Sequence, residues 1–203
     1  MDKKSVVKDI VIILGILAVC VISSIVITPR KLSKPITPYN TTKPYNENCV
    51  VCEVSWIKDK EKVIQGIKPM YEKLGYQPYI VVLAYQDKDF NEIAEAYFKN
   101  NITDENAVAY IYMADQRVEQ SKGQGKIIIG EQVDKQIPQL LADYIDSIWY
   151  SNRSTEDMLI KSFTETTNLA LGVDNNSSAR YTIFGIIVVF AIVFTITLFK
   201  KRW

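Results

Sequence analysis

Three carboxylates and two thiols are the residues whose types and spacing suit chemistry in this chain. Asp87 and Asp89 follow one apolar run, Tyr79–Tyr85, and Asp115 follows another, Ala107–Met113. If those runs are parallel neighbouring strands, the three acids gather beyond their carboxyl ends, where open parallel sheets collect ligands. An all-oxygen set of this kind suits Ca²⁺ or Mg²⁺. The plainer reading stands beside it. Asp89-x-x-Glu92 has the spacing of a helix capping box, and Asp87 and Asp115 read equally well as solvated loop acids.

The thiols are Cys49 and Cys52, spaced Cys-x-x-Cys. One pair cannot supply four zinc ligands, and the third cysteine, Cys20, lies inside a long apolar run. A redox dithiol normally opens a helix, whose N-terminus lowers the thiol pKa. Cys49–Trp56 reads instead as extended chain, so a structural disulfide or a pair of free thiols is expected. There is no histidine, which removes Ser–His and Cys–His pairs and any His-bearing zinc site. Gly123-Gln-Gly125-Lys126 has the flavour of a phosphate loop, but it precedes a strand rather than a helix. It reads as a hairpin turn, with no nucleotide partner. Tyr110, Tyr112, Tyr144 and Tyr150 suit either a patch for a partner or half-buried core.

The elements that position these residues follow from periodicity. Asp59 caps a helix to Leu74, with Ile64, Ile67, Tyr71 and Leu74 inward, Gly75 ending it and Pro69 expected to kink or split it. Tyr79–Tyr85 has no alternation and reads as a strand buried on both faces. A helix carrying Phe90, Ile93, Ala94, Tyr97 and Phe98 leads to the strand Ala107–Met113, which implies a parallel, right-handed crossover. Lys126–Gly130 returns as a hairpin partner. Pro138 opens a helix with Leu141, Tyr144, Ile145 and Ile148 inward, and Ser154-x-x-Asp157 opens a last one with Leu159, Phe163, Thr166 and Ala170 inward.

Outside this α/β core, Ile10–Ile27 and Tyr181–Phe199 are 18 and 19 residues without a charge, each long enough to cross a bilayer. The first exceeds a signal-peptide core and lacks a small-x-small cleavage site. The expected organisation is a cytoplasmic N-terminus at 1–9, a transmembrane helix at 10–27 and a Pro-rich basic tether at 28–46. An extracytoplasmic domain at 47–172 follows, then a linker at 173–180, a second transmembrane helix at 181–199 and a cytoplasmic tail at 200–203. Lys200, Lys201 and Arg202 against a lone Arg180 place the C-terminus in the cytoplasm. From Glu47 to Asp174 there are 21 Asp and Glu against 13 Lys and Arg, an acidic balance that excludes a nucleic-acid partner. The tether's Arg30, Lys31, Lys34 and Lys43 suit anionic lipid or simple solvation.

Trp56-Ile57, Gly75-x-Gln77-Pro78-Tyr79, Ala107–Met113, Ile127-Ile-Ile-Gly130 and Asp143-Tyr-Ile-Asp146 with Tyr150-Ser151 resemble the TPM domain family over about Ser55 to Gly172. They look closest to a branch in membrane-anchored proteins of low-GC Gram-positive bacteria. The resemblance implies a three-layer α/β/α sandwich with a small mixed sheet, an extracytoplasmic location and a divalent cation at the acidic edge. Family members include acid phosphatases as well as assembly and repair factors. Two motifs depart from the family pattern: Glu105-Asn106-Ala107 stands for Asp-Asn-Gly, and Asp115-Gln-Arg117 for Asp-Arg. The expected function is therefore an interaction or accessory module for membrane or envelope proteins, tethered to the lipid bilayer. The alternative is a metal-dependent phosphohydrolase using Asp87, Asp115 and a bound ion.

Overall fold

A mixed α/β fold carries the chain in the computed structural model, which describes residues 34–114, 123–149 and 154–173. The strands are β1 (Val50–Cys52), β2 (Gln77–Ala84), β3 (Ala107–Ala114) and β4 (Gln124–Ile129). The helices are α1 (Lys60–Leu74), α2 (Phe90–Asn101), α3 (Ile137–Trp149) and α4 (Thr155–Ala170). The sheet order is β1-β2-β3-β4, parallel across the first three strands and antiparallel at β4. β2 and β3 pair from Gln77↔Ala107 to Ala84↔Ala114. All of β3 and all but the last residue of β2 are buried. The parallel pairing and the hairpin match the expectation from sequence.

Helices cover both faces. On the face of β3 and β4 that carries Tyr110, Tyr112 and Ile127, α3 supplies a wall. On the opposite face Lys126 reaches Glu95 of α2 at 2.7 Å. α4 packs against both α1 and α3. Three helix starts use the cap their sequence offers. Asp59 accepts from Lys62 N, Asp89 from Asn91 N and Glu92 N, and Ser154 from Asp157 N.

Three expectations change. Pro69 neither breaks nor splits α1, which runs unbroken from 60 to 74. The helix forfeits one backbone bond there, and Val63, Ile67, Met70 and Leu74, all buried, hold it against the core. The inward face is therefore 63/67/70/74 rather than 64/67/71/74. Ile64 and Tyr71 are half-buried, and both meet residues 34–46, which is the third difference. The described part of the supposed tether is not a free spacer.

This segment, here called the strap, lies on the domain through backbone bonds to the ends of two helices. Ile36 N donates to Ala170 O at 2.7 Å, and Tyr39 N donates to Leu74 O at 2.8 Å. Both acceptors are last-turn carbonyls that no intrahelical N–H can reach. Ile36 is buried in the core, the Tyr71 hydroxyl donates to Lys43 O, and the Tyr45 ring lies 5.4 Å from that of Tyr71. Further on, Asn46 N donates to Gln77 Oε1 at 2.9 Å, and Asn46 Nδ2 donates to the Tyr79 hydroxyl at 2.9 Å. That hydroxyl in turn donates to Asp104, whose other oxygen holds Lys43 at 3.1 Å.

Gly75 is the hinge of this arrangement. Its φ of 71° is left-handed, and a β-carbon there would stand 1.9 Å from Tyr39 O. Gly75→Ala is expected to lower the melting temperature of the full-length chain by about 5 °C or more, from backbone strain of about 1 kcal/mol plus displacement of the strap. Limited proteolysis should then cut near Tyr39 in the variant and not in the parent; equal resistance of the two would contradict the packing described.

Candidate functional site

The parallel pairing of β2 and β3 sets their carboxyl ends side by side, as the sequence implies, but the acids there do different jobs. Asp89 is spent as the cap of α2, accepting at 2.7 Å and 3.2 Å. Asp87 is exposed and accepts from the Tyr85 hydroxyl at 3.3 Å. Asp115 lies outside the described residues, as do Arg117, Tyr150 and both apolar end segments. Among the described residues no three acidic, cysteine or histidine side chains come together to hold a metal ion. No described helix is long and apolar enough to cross a membrane.

Cys49 and Cys52 are free thiols. The candidate disulfide is not formed. Cys49 precedes β1 and Cys52 ends it, so the chain between them is extended. Three residues at about 3.3 Å each set the two Cα atoms near 10 Å apart, beyond the ~7 Å limit of a bridge. Tyr45 OH donates to Ile64 O at 2.9 Å, so at the 3.3 Å contact with Cys49 the thiol is the donor. Burial pushes the Cys49 thiol above its ordinary range, and burial likewise raises Cys52 against nearby Lys60. Neither thiol is tuned for attack or metal binding.

Several of the motif residues that carry the family resemblance have structural jobs. Gly75 admits the strap, Gln77 clasps Asn46, and Tyr79 joins Asn46 to Asp104. Asn106, in the segment that departs from the family pattern, donates to Gly75 O at 2.6 Å. Trp56 stacks on Tyr112 with centroids 4.3 Å apart and planes 14° from parallel. Glu156, near the start of α4, accepts from Lys58 N at 2.7 Å. Burial opposes its ionisation, but that bond and other backbone donors outweigh it and hold the carboxyl below the usual range.

Among the described residues, a groove of about 520 Å³ brings apolar and polar groups together. Its floor is Tyr110, Tyr112 and Ile127, and its wall is Pro138, Ala142, Ile145 and Asp146 of α3. Gly123 and Gly125 make the floor possible. A β-carbon at 125 would meet the Tyr110 hydroxyl at 2.7 Å, and one at 123 would meet the Tyr112 ring at 2.0 Å. The two glycines therefore serve to let tyrosine rings lie over β4, not to cradle phosphate. Tyr110 is 4% exposed, and burial, then Tyr112 and Asp146, push its hydroxyl far above the ordinary tyrosine range. It is a neutral phenol at any physiological pH, suited to hydrogen bonding and stacking rather than proton transfer. Sequence reasoning named the tyrosines and the glycines but did not connect them. The connection lies in the strand register, which pairs Tyr110 and Tyr112 with Ile127 and Gly125.

Because the folded-state values of Cys49, Cys52, Tyr79 and Tyr110 lie above their unfolded ones, the protonated forms favour the fold. That contribution is full below the unfolded thiol pKa and declines as pH rises beyond it. Stability of the full chain, followed by circular dichroism, is expected to hold through neutral pH and fall above about pH 9, where cysteine and then tyrosine ionise in the unfolded state. Thiol labelling under native conditions should reach Cys52 before Cys49. Rapid native labelling of Cys49 at pH 7 would contradict its burial.

No known family's sequence profile matches the chain, and no curated protein matches it. Among solved structures, the N-terminal domain of cg2496 protein from Corynebacterium glutamicum matches with a TM-score of 0.45 at 14% identity, covering 69% of this chain and 89% of that one.

Proposed function

We propose that the chain is a two-pass, membrane-anchored protein whose TPM-like α/β/α domain lies outside the cytoplasm and acts as an interaction or accessory module for membrane or envelope proteins. One observation carries this reading: the two ends of the domain leave from one corner. Ile36 N bonds Ala170 O at 2.7 Å, and Pro35 packs against Gly172, its Cγ 3.1 Å from where a β-carbon would stand. Apolar segments of spanning length lie beyond both ends of the domain in the sequence. Two spans starting from one corner suit a hairpin anchor with the domain on a single side, as the Lys200, Lys201 and Arg202 cluster independently suggests. The corner lies at the C-terminal end of α4. The 16 residues of α4 then set the carboxyl edge of the sheet about 24 Å further from the anchor, accessible to a partner.

The site chemistry favours recognition over turnover. Asp89 is engaged as a cap, the thiols are suppressed by burial, and the groove offers a concave surface beside Asp146. Reporter fusions at Asn175 and at Trp203 test the topology. A reporter active only outside the cytoplasm should work at Asn175 and fail at Trp203; the reverse pattern overturns the orientation. The full-length protein in detergent micelles, given a generic phosphate monoester with Ca²⁺, Mg²⁺ or Mn²⁺ from acid to neutral pH, is expected to show no turnover. Turnover abolished by Asp87→Asn or Asp115→Asn, with the fold intact, would replace the interaction module by a phosphohydrolase.

A further inference from the structure

Among the described residues β4 ends the sheet, and no other described strand pairs with its outer edge, whose groups the hydrogen-bond pattern defines. Gly130 N donates to Ala107 O at 2.9 Å and Gln132 N donates to Glu105 O at 2.8 Å. Antiparallel pairing alternates, so 128, 126 and 124 also bond inward to β3, and the N–H and C=O groups of Gly125, Ile127 and Ile129 point outward. The usual guards of such an edge are absent from it. β4 contains no proline, and its lone charge, Lys126, is drawn to Glu95 on the α2 face at 2.7 Å. The side chains of Gly125 and Ile127 share the face of Tyr112 and Tyr110, so a strand added along this edge sets every second side chain beside the groove walled by α3.

We propose that this edge binds an extended, basic peptide segment of a partner protein by strand addition, with alternate side chains entering the Tyr110–Tyr112 groove and a cationic one meeting Asp146. Charge decides the occupant. Lys126 also lines the groove, but its ammonium lies 2.7 Å from Glu95 on the other face; Asp146 is the acid among the described lining residues, and it lies close enough to Tyr110 to perturb its hydroxyl. A second copy paired edge to edge would bring two acidic α3 surfaces together, each with Asp143 and Asp146, in a domain already rich in acid. A basic strand gains where a second copy is repelled. The mode of recognition is familiar: main-chain bonds supply affinity and alternate side-chain pockets supply selectivity. The inference gives the interaction module its partner class, and it stands or falls separately from the topology, which the reporter fusions read.

The test uses full-length protein in neutral detergent and a blocked nine-residue probe peptide alternating valine with threonine, with two lysines. Fluorescence anisotropy should show saturable binding that weakens with salt. Asp146→Lys should weaken it about tenfold. Ile127→Pro removes an outward N–H and leaves the β3–β4 bonds in place, so it should cost about tenfold with the fold preserved. Probe peptides N-methylated at alternate residues give the backbone readout: one set should lose binding and the complementary set should keep it. An absence of binding, binding indifferent to Ile127→Pro and to both methylated sets, or a dimer that Ile127→Pro dissolves would each overturn the proposal.

Discussion

Burial of β2 and β3 on both faces is the constraint on which the rest of the structure depends. Two adjacent strands with almost no exposed side chain need every backbone polar group paired and apolar cover above and below. The eight-residue parallel register satisfies their shared side. The outer sides are satisfied by β1 for only three residues and by β4 for six. Cover comes from α2 on one face and from α3 on the other, with α4 wedged between α3 and α1. The amino ends of the parallel strands lie near the strap and the carboxyl ends near the starts of α1 and α4, where Glu156 binds Lys58 N. One buried strand pair thus fixes which end of the domain is anchored and which is presented.

Much of this was legible because it rests on local pattern. β2 and β3 show as unbroken apolar runs too short for a buried helix. Asp59, Asp89 and Ser154 announce their helices because a short oxygen-bearing side chain before an apolar-periodic segment has one strong use, satisfying orphan N–H groups. The expected inner residues of α4, Leu159, Phe163, Thr166 and Ala170, are all fully buried, with Met158, Ser162 and Thr167 buried beside them. What escaped depended on distant chain. β1 is three residues long and has no period to detect. The face of α1 was misread by one position because Ile64 and Tyr71 sit at the core's margin, where Tyr45 meets them both. Proline-rich composition made residues 34–46 look like a spacer, yet proline only forbids helix; it says nothing about whether an extended chain is bonded to a surface.

The candidate site was half legible for a related reason. Spacing correctly brought Asp87 and Asp89 to the carboxyl edge of β2, but spacing cannot say which carboxylate is already committed. Asp89 accepts two backbone N–H bonds, so lending it to a cation would leave the first turn of α2 without its cap. The two cysteines show the same limit. Their short separation suggested a bridge, and the extended backbone that made the run look like a strand is what keeps the sulfurs apart. In each case the sequence displays a chemical capacity, and the local backbone decides whether it is used.

The groove has no counterpart in any single stretch of sequence, because it is made by three elements at once. Tyrosines on β3 would normally meet side chains on β4; glycines at 123 and 125 remove those side chains, so the rings extend across the edge strand. The Tyr112 ring is held from its other side by Trp56, which fixes its plane. α3 then stands over this aromatic floor without filling it. Glycine in a strand weakens it, by loss of packing and by backbone entropy. Here the tyrosine rings restore the packing, so β4 stays ordered while its outer edge keeps a bare backbone beside an aromatic surface. The substitution that would best stabilise β4, a β-branched residue at 125, would drive into the Tyr110 hydroxyl and close the groove. The stability forgone at the edge and the shape available for recognition therefore have one cause.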